Sequence, residues 1–170
     1  MTWVFGYGSL IWRPGFPFLQ RERAVLLGYE RRFWQGSPDH RGTPTEPGRV
    51  VTLAPRPTAR CEGVAFLVAD EHRQEVLSAL DVRESGGYVR EIRTIQLAAN
   101  MTADAVVYIA HVDNPSYLGP ASIEVMAEHI SSSRGPSGSN IDYVLNLKDI
   151  LDKEGIHDEH LNALAGRLRA

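Results

Sequence analysis

The order in which apolar runs appear constrains this chain more than any other feature of its sequence. Through the first two thirds the runs are short, rich in β-branched and aromatic residues, and broken by glycine or proline; in the last third they recur at helical spacing. Thr2–Gly6, 24–36, 50–53 (closed by Pro55) and 63–69 therefore read as strands. Residues 103–112 are almost wholly apolar, as expected of a strand covered on both faces. Residues 88–97 are ambiguous: Val89, Ile92 and Ile95 have helical spacing, but the β-branched content and the preceding Gly86 and Gly87 favour a strand. A helix is expected over 71–80 with Asp70 as its N-cap. Another is expected over 120–130, where Ile123, Met126, Ala127 and Ile130 share one face behind Pro120. Asn140 is expected to cap a third, carrying Ile141, Val144, Leu145 and Leu151, and Asp158 a fourth, carrying Leu161, Leu164, Ala165 and Leu168. Strands first and helices last predict an α+β fold, a small curved or barrel-like β-sheet with flanking helices.

Composition narrows the partners. A length of 170 residues, with no internal repeat and no linker, suits one domain spanning 1–170. The net charge of −3 supplies no basic field to hold nucleic acid or an anionic membrane. Cys61 is the sole cysteine, which rules out an intrachain disulfide and fits a reducing compartment. The first residues are too short and too interrupted by glycine for a signal sequence, and no apolar run approaches the roughly 18 residues of a membrane helix. A soluble, cytoplasmic protein is expected. The lack of a heptad pattern favours a monomer.

Several chemistries lack their signatures. There is no GxxxxGK[ST], GxGxxG, GxSxG or HExxH. His157 and His160 have a spacing that places two ligands on one helical face, but no cysteine pair or acidic partner motif accompanies them, and a surface pair at a helix start is the better reading. Cys61, at the start of an apolar run, reads as a buried structural cysteine rather than a nucleophile. No metal site and no cofactor are expected.

Two segments remain. Phe5-Gly6-Tyr7-Gly8-Ser9-Leu10 follows the first strand; its glycines let backbone approach a ligand closely, and its N–H groups can face an anionic oxygen. A tight strand-ending turn explains it equally well. Asp81-Val82-Arg83-Glu84-Ser85-Gly86-Gly87-Tyr88 concentrates carboxylates, a guanidinium, a glycine pair and a phenol, although a helix C-cap with solvated charges accounts for that composition. Two long loops, 37–48 and 131–140, have the length of binding loops.

At these residues the sequence resembles the ChaC-like γ-glutamylcyclotransferases. The resemblance runs from Val4 to about Leu161. Its blocks are Val4 through Trp12, Arg31 through Ser37, Asp39-His40-Arg41-Gly42, Pro47 through Leu53, Arg83-Glu84 with Gly86-Gly87-Tyr88, Asn114-Pro115, Tyr117 through Ala121, Gly135 through Gly138 and Asp158 through Leu161. Glu62 stands where the family often has an aromatic residue and Phe66 where tyrosine is common, departures that bear on packing or substrate preference. The resemblance implies a small β-barrel with flanking helices, and cleavage of reduced glutathione to 5-oxoproline and Cys-Gly without metal or organic cofactor.

It also implies the site. Glu84 is expected as general acid/base, in a partly apolar pocket walled by Tyr7, Tyr88 and Tyr117. Gly6, Tyr7, Gly8, Ser9, Leu10 and Ile11 are expected to form the substrate loop and its oxyanion donors. Arg41, with the 135–140 loop, is expected to hold a substrate carboxylate, and Asp81 to be a structural cap. Two alternatives stay open on sequence: preference for other γ-glutamyl amines or dipeptides, and a non-catalytic role in regulating a cation transporter.

Overall fold

The computed structural model describes residues 1–169. Five strands, β1 (Thr2–Gly6), β2 (Gln20–Ser37), β3 (Gly48–Val68), β4 (Tyr88–Gln96) and β5 (Thr102–Ala110), close into a barrel in the order β1-β3-β2-β4-β5. Closure is made by a short parallel pairing of β1 with β5, Trp3 opposite Ala105 and Val4 opposite Val106. The other pairings are antiparallel. Between β3 and β4 lies α1 (Asp70–Arg83); α2 (Ile123–Ser131), α3 (Asn140–Lys153) and α4 (Glu159–Arg169) follow the barrel. The expected α+β barrel with flanking helices is what forms.

The near-continuous apolarity of β1 and β5 has a direct cause. Val4 and Val106 face outward onto Val76, Leu77 and Leu80 of α1, while Phe5, Val107 and Ile109 face the main core with Phe33, Phe66 and the inner faces of α2, α3 and α4. Both faces are covered, so neither alternates with polar residues.

Some boundaries differ from the sequence reading. The runs 50–53 and 63–69 are two paired stretches of one strand; Pro55 does not end it. The ladder with β2 breaks where Pro55 faces Tyr29 and Arg60 faces Leu27, so the four residues between Pro55 and Arg60 protrude. Proline is tolerated at such a bulge because no ladder bond needs its missing N–H. The facing residue, Gly28, sits at φ +85°, which a residue with a Cβ resists. Asp70 is not the α1 cap: Ala69 occupies that position without a side-chain bond, and the Asp70 carboxylate takes the N-terminal ammonium. Likewise Ser139 caps α3, while Asn140 is the first helical residue, fully buried and bonded in both directions to the Arg49 backbone. Helix α2 starts three residues after Pro120, capped by Ser122. Asp158 caps α4 as expected, accepting from Leu161 N–H at 2.9 Å.

Candidate active site

Glu84 follows the last turn of α1, its N–H still bonded to Leu80 O at 2.8 Å. The chain then turns through Gly86 and Gly87 into β4. Gly87 has φ +107°, and a Cβ there would lie 2.6 Å from both Asn114 Oδ1 and Gln35 Nε2, so glycine is required twice over. The fully buried Gln35 grips this turn: its Nε2 donates to Gly86 O at 3.0 Å and to Asn114 Oδ1 at 2.9 Å, and Asn114 Nδ2 returns a bond to Gln35 Oε1 at 3.0 Å.

The Glu84 side chain, 17% exposed, accepts no hydrogen bond among the described residues. Its nearest cation is Arg83, with Nε 3.9 Å from Oε1. The Arg83 guanidinium is committed elsewhere, to Arg13 O at 2.6 Å, Pro14 O at 3.1 Å and Ser9 Oγ at 3.1 Å. Burial therefore raises the Glu84 pKa above the ordinary carboxylate range, and the Arg83 charge opposes this only in part.

Two cavities meet at this carboxyl. The larger, about 720 Å³ counted to its open mouth, is lined among others by Ser9, Arg13, Asp39, Arg41, Glu84 and Tyr88. The smaller, about 340 Å³, is lined by Tyr7, Gly8, Ser9 and Leu10 of the loop after β1 and by Glu84. Tyr88 and Tyr143 line both. Tyr7 donates to Tyr108 O at 2.6 Å and Tyr88 to Val51 O at 2.6 Å. Tyr143 Oη accepts from Val51 N–H at 3.3 Å, which leaves its own hydrogen without an acceptor among the described residues. Burial pushes all three phenols well above their ordinary pKa, with the Glu84 charge adding to it, so they are neutral hydroxyls at physiological pH.

The expected substrate loop divides. Tyr7, Gly8, Ser9 and Leu10 line the smaller cavity. Gly6 and Ile11 line neither cavity: Gly6 ends β1 opposite Val64, Ile11 packs in the core, and the Ile11 N–H is bonded to Gly8 O at 3.0 Å. Tyr117 also lines neither cavity; its backbone pairs with Gln35 of β2. Arg41 does reach the larger cavity. Its Nη1 donates to Ser139 O at 3.2 Å and its guanidinium lies 5.7 Å from the Tyr143 ring centre. Behind it the loop and the β6 (Arg134–Gly135) and β7 (Gly138–Ser139) hairpin pack backbone to backbone: a Cβ on Gly135 would meet His40 O at 2.3 Å. Asp81 is a buttress rather than a cap, accepting from Tyr108 Oη at 2.6 Å.

The sequence reading missed Tyr143. Its signal was available, a polar tip on the apolar stripe of α3, but that stripe alone reads as core. Arg13 and Ser37 were not singled out either. Elsewhere, Cys61 is buried and its thiol pushed up to about 11 by burial, which suits a structural role. His160 stacks on Phe33 at 5.8 Å, accepts the Phe33 N–H at 3.3 Å, and is held down to about 4 by burial; among the described residues no cluster suits a metal.

The sequence model of the ChaC-like proteins matches residues 2–170. The chain belongs to the ChaC-like family. This ChaC-like protein is 44% identical over 175 residues to Arabidopsis thaliana gamma-glutamylcyclotransferase 2-3, covering 98% of this chain and 88% of that one. It is 44% identical over 168 residues to human glutathione-specific gamma-glutamylcyclotransferase 1, covering 95% and 76%. A crystal structure of the yeast gamma-glutamyl cyclotransferase specific to glutathione superposes with a TM-score of 0.93 at 32% identity, over 99% of this chain and 95% of that one. The departures from the family pattern lie away from the cleft. Phe66 packs edge-on against Phe16 and Phe18, and Glu62 pairs with Arg23 at 3.2 Å. No helix among the described residues is long and apolar enough to cross a membrane.

Proposed function

We propose that this ChaC-like protein is a glutathione-specific γ-glutamylcyclotransferase with Glu84 as general acid/base. The observation that carries the reading is the Glu84 carboxyl itself: mostly buried where two cavities meet, without a hydrogen-bond donor among the described residues, and raised in pKa. The names of its relatives supply the substrate. The γ-glutamyl group enters the smaller cavity and the Cys-Gly portion extends into the larger.

The reaction is an internal aminolysis. The α-ammonium of the γ-glutamyl group, with pKa about 7.7–8 in a model peptide, loses a proton to Glu84. The freed amine attacks its own γ-carbonyl, forming the ring C–N bond. The ring nitrogen then still carries two hydrogens. As the tetrahedral intermediate collapses, the bond to the cysteine nitrogen breaks, Glu84 returns its proton to that nitrogen, and the ring nitrogen passes its second proton through the same carboxylate to the departing amine, giving 5-oxoproline and the ammonium form of Cys-Gly with no water consumed. The nucleophile belongs to the substrate and the tether supplies proximity, so the protein is asked to fold the chain and move protons. A carboxyl held above its usual pKa serves both as base and as acid better than an ordinary glutamate. Gly8 and Tyr143 both line the smaller cavity, and a Cβ on Gly8 would sit 3.3 Å from Tyr143 Oη, so in this reading the Gly8 N–H and the Tyr143 O–H serve as the oxyanion donors. Arg41 takes a substrate carboxylate at the outer end. In this reading the protein acts as one cytoplasmic monomeric domain on a free small molecule, with no nucleic acid, membrane, metal or cofactor.

Incubation with reduced glutathione, with mass spectrometry for 5-oxoproline and Cys-Gly, tests it. Glu84→Gln should remain folded and lose about 10²–10⁴-fold in kcat, or roughly 3–5 kcal/mol of barrier lowering. Near wild-type turnover by that variant rejects the assignment of Glu84. A γ-glutamyl dipeptide cleaved faster than glutathione rejects the specificity.

A further inference from the structure

Arg31 lies inside the protein, 2% exposed, and its guanidinium binds three separate segments. Nε donates to the Tyr7 carbonyl at 2.7 Å, Nη2 to the Glu62 carbonyl at 2.5 Å, and Nη1 to the Asp158 carboxylate at 2.5 Å. Buried charges persist when paired and hydrogen-bonded, and here each of the three guanidinium nitrogens has a partner. The acid/base chemistry of Glu84 makes no use of this network, yet one arm of it ends on the substrate loop.

That arm has a geometric consequence. A trans peptide is planar, with its C=O and N–H directed to opposite sides, and the chain has no cis peptide among the described residues. The Tyr7 carbonyl is drawn inward to Arg31. The Gly8 N–H of the same peptide must therefore point away from Arg31, and Gly8 itself lines the smaller cavity. Gly8 is buried, and its N–H has no acceptor among the described residues. Buried N–H groups are almost always paired, so an unpaired one beside a cavity marks a place for an acceptor to arrive. The Arg31 charge at the carbonyl end also polarises this peptide in the direction that strengthens the N–H as a donor, as hydrogen bonds in a chain strengthen one another.

We propose that Arg31 is a positioning residue for the cyclisation: by holding the Tyr7 carbonyl it fixes and polarises the Tyr7–Gly8 peptide so that the Gly8 N–H meets the oxyanion of the tetrahedral intermediate. Arg31 touches no substrate atom; it acts through one peptide plane. The inference rests on the cyclotransferase reading above and adds the origin of its oxyanion donor. It also explains why an ion pair reaching to the N-cap of α4 lies beneath the substrate loop.

The test is a steady-state comparison on glutathione. Arg31→Met alone would strand the Asp158 carboxylate, so the variant is Arg31→Met with Asp158→Asn, in which asparagine still caps α4. Arg31→Lys keeps the charge and one donor. Leu164→Ala, a core truncation in α4, serves as the destabilised control. Loss of one oxyanion donor typically costs about 10²–10³-fold in kcat. The double variant should lose about that much in kcat, with KM little changed and the Glu84-dependent pH profile in place. Arg31→Lys should recover part of the loss, and Leu164→Ala should keep wild-type kcat despite a lowered Tm. A folded double variant whose kcat matches that of Leu164→Ala overturns the inference, as does a loss confined to KM. Wild-type protein that forms no 5-oxoproline overturns the functional reading and this inference together; wild-type turnover with unaffected Arg31 variants overturns the inference alone.

Discussion

Replacing Gln35 by leucine should both destabilise the protein and slow it. The side chain is fully buried and takes part in three bonds: Nε2 to Gly86 O and to Asn114 Oδ1, and Oε1 from Asn114 Nδ2. A typical buried bond contributes a net ~1 kcal/mol, so the direct loss is about 3 kcal/mol. Asn114 keeps its bonds to His111 O and Ser116 N–H, which spares it the larger penalty of an orphaned amide. For a chain of this size that loss lowers Tm by about 6–12 °C. The kinetic effect has a separate origin. Gly86 lies two residues after Glu84, and a displacement of about 1 Å at a reacting group costs up to 10²-fold, so kcat should fall by one to two orders of magnitude. Asn114→Leu and the double variant complete a mutant cycle, in which the pair should show a coupling of about 0.5–3 kcal/mol. Guanidinium unfolding and glutathione turnover on the four proteins read both quantities. Additive free energies, or a destabilised Gln35→Leu with unchanged kcat, would refute the view that this amide pair holds the Glu84 turn.

Other expectations concern pH and backbone strain. With Glu84 as base, kcat/KM should rise with pH through an inflection above the ordinary carboxylate value of about 4.3, because burial outweighs Arg83; Arg83→Met should move that inflection upward, and a downward move contradicts the assignment. His160, depressed to about 4 in the fold against about 6.5 unfolded, binds more protons in the unfolded state between those values. Its contribution, up to about 3 kcal/mol, is thus full above pH 6.5 and lost as pH falls towards 4; a His160→Gln variant should show a flatter acid limb of stability in urea titrations. Ala99 and Asn100 hold left-handed conformations, φ 59° and 60°, in the exposed turn between β4 and β5. Ala99→Gly should relieve strain and stabilise the protein by about 0.5–1 kcal/mol, and a lowered Tm would count against it.

Much of the frame was determined by neighbours along the chain. The stripe Ile123, Met126, Ala127 and Ile130 announced α2, the almost wholly apolar run 103–112 announced a strand covered on both faces, and Glu84 beside Gly86-Gly87-Tyr88 marked the turn that carries the proposed acid/base. Periodicity and turn chemistry are local, so they survive in a linear reading. Of the three expected caps only Asp158 held: Asp70 and Asn140 have the right chemistry, but each is drawn to a partner far along the chain, the N-terminus and Arg49 respectively, and the residue before it becomes the cap. Nor was the full site legible. Tyr143 comes from α3 to line the cavity that Glu84 lines, Arg31 reaches Tyr7 from β2, and Tyr117, whose backbone pairs with Gln35, lines neither cavity. The raised pKa of Glu84 is of the same kind. The sequence placed a carboxylate beside an arginine, which by itself favours the charged form; only the folded barrel buries that carboxyl and turns the guanidinium towards Ser9, Arg13 and Pro14, and desolvation then outweighs the charge.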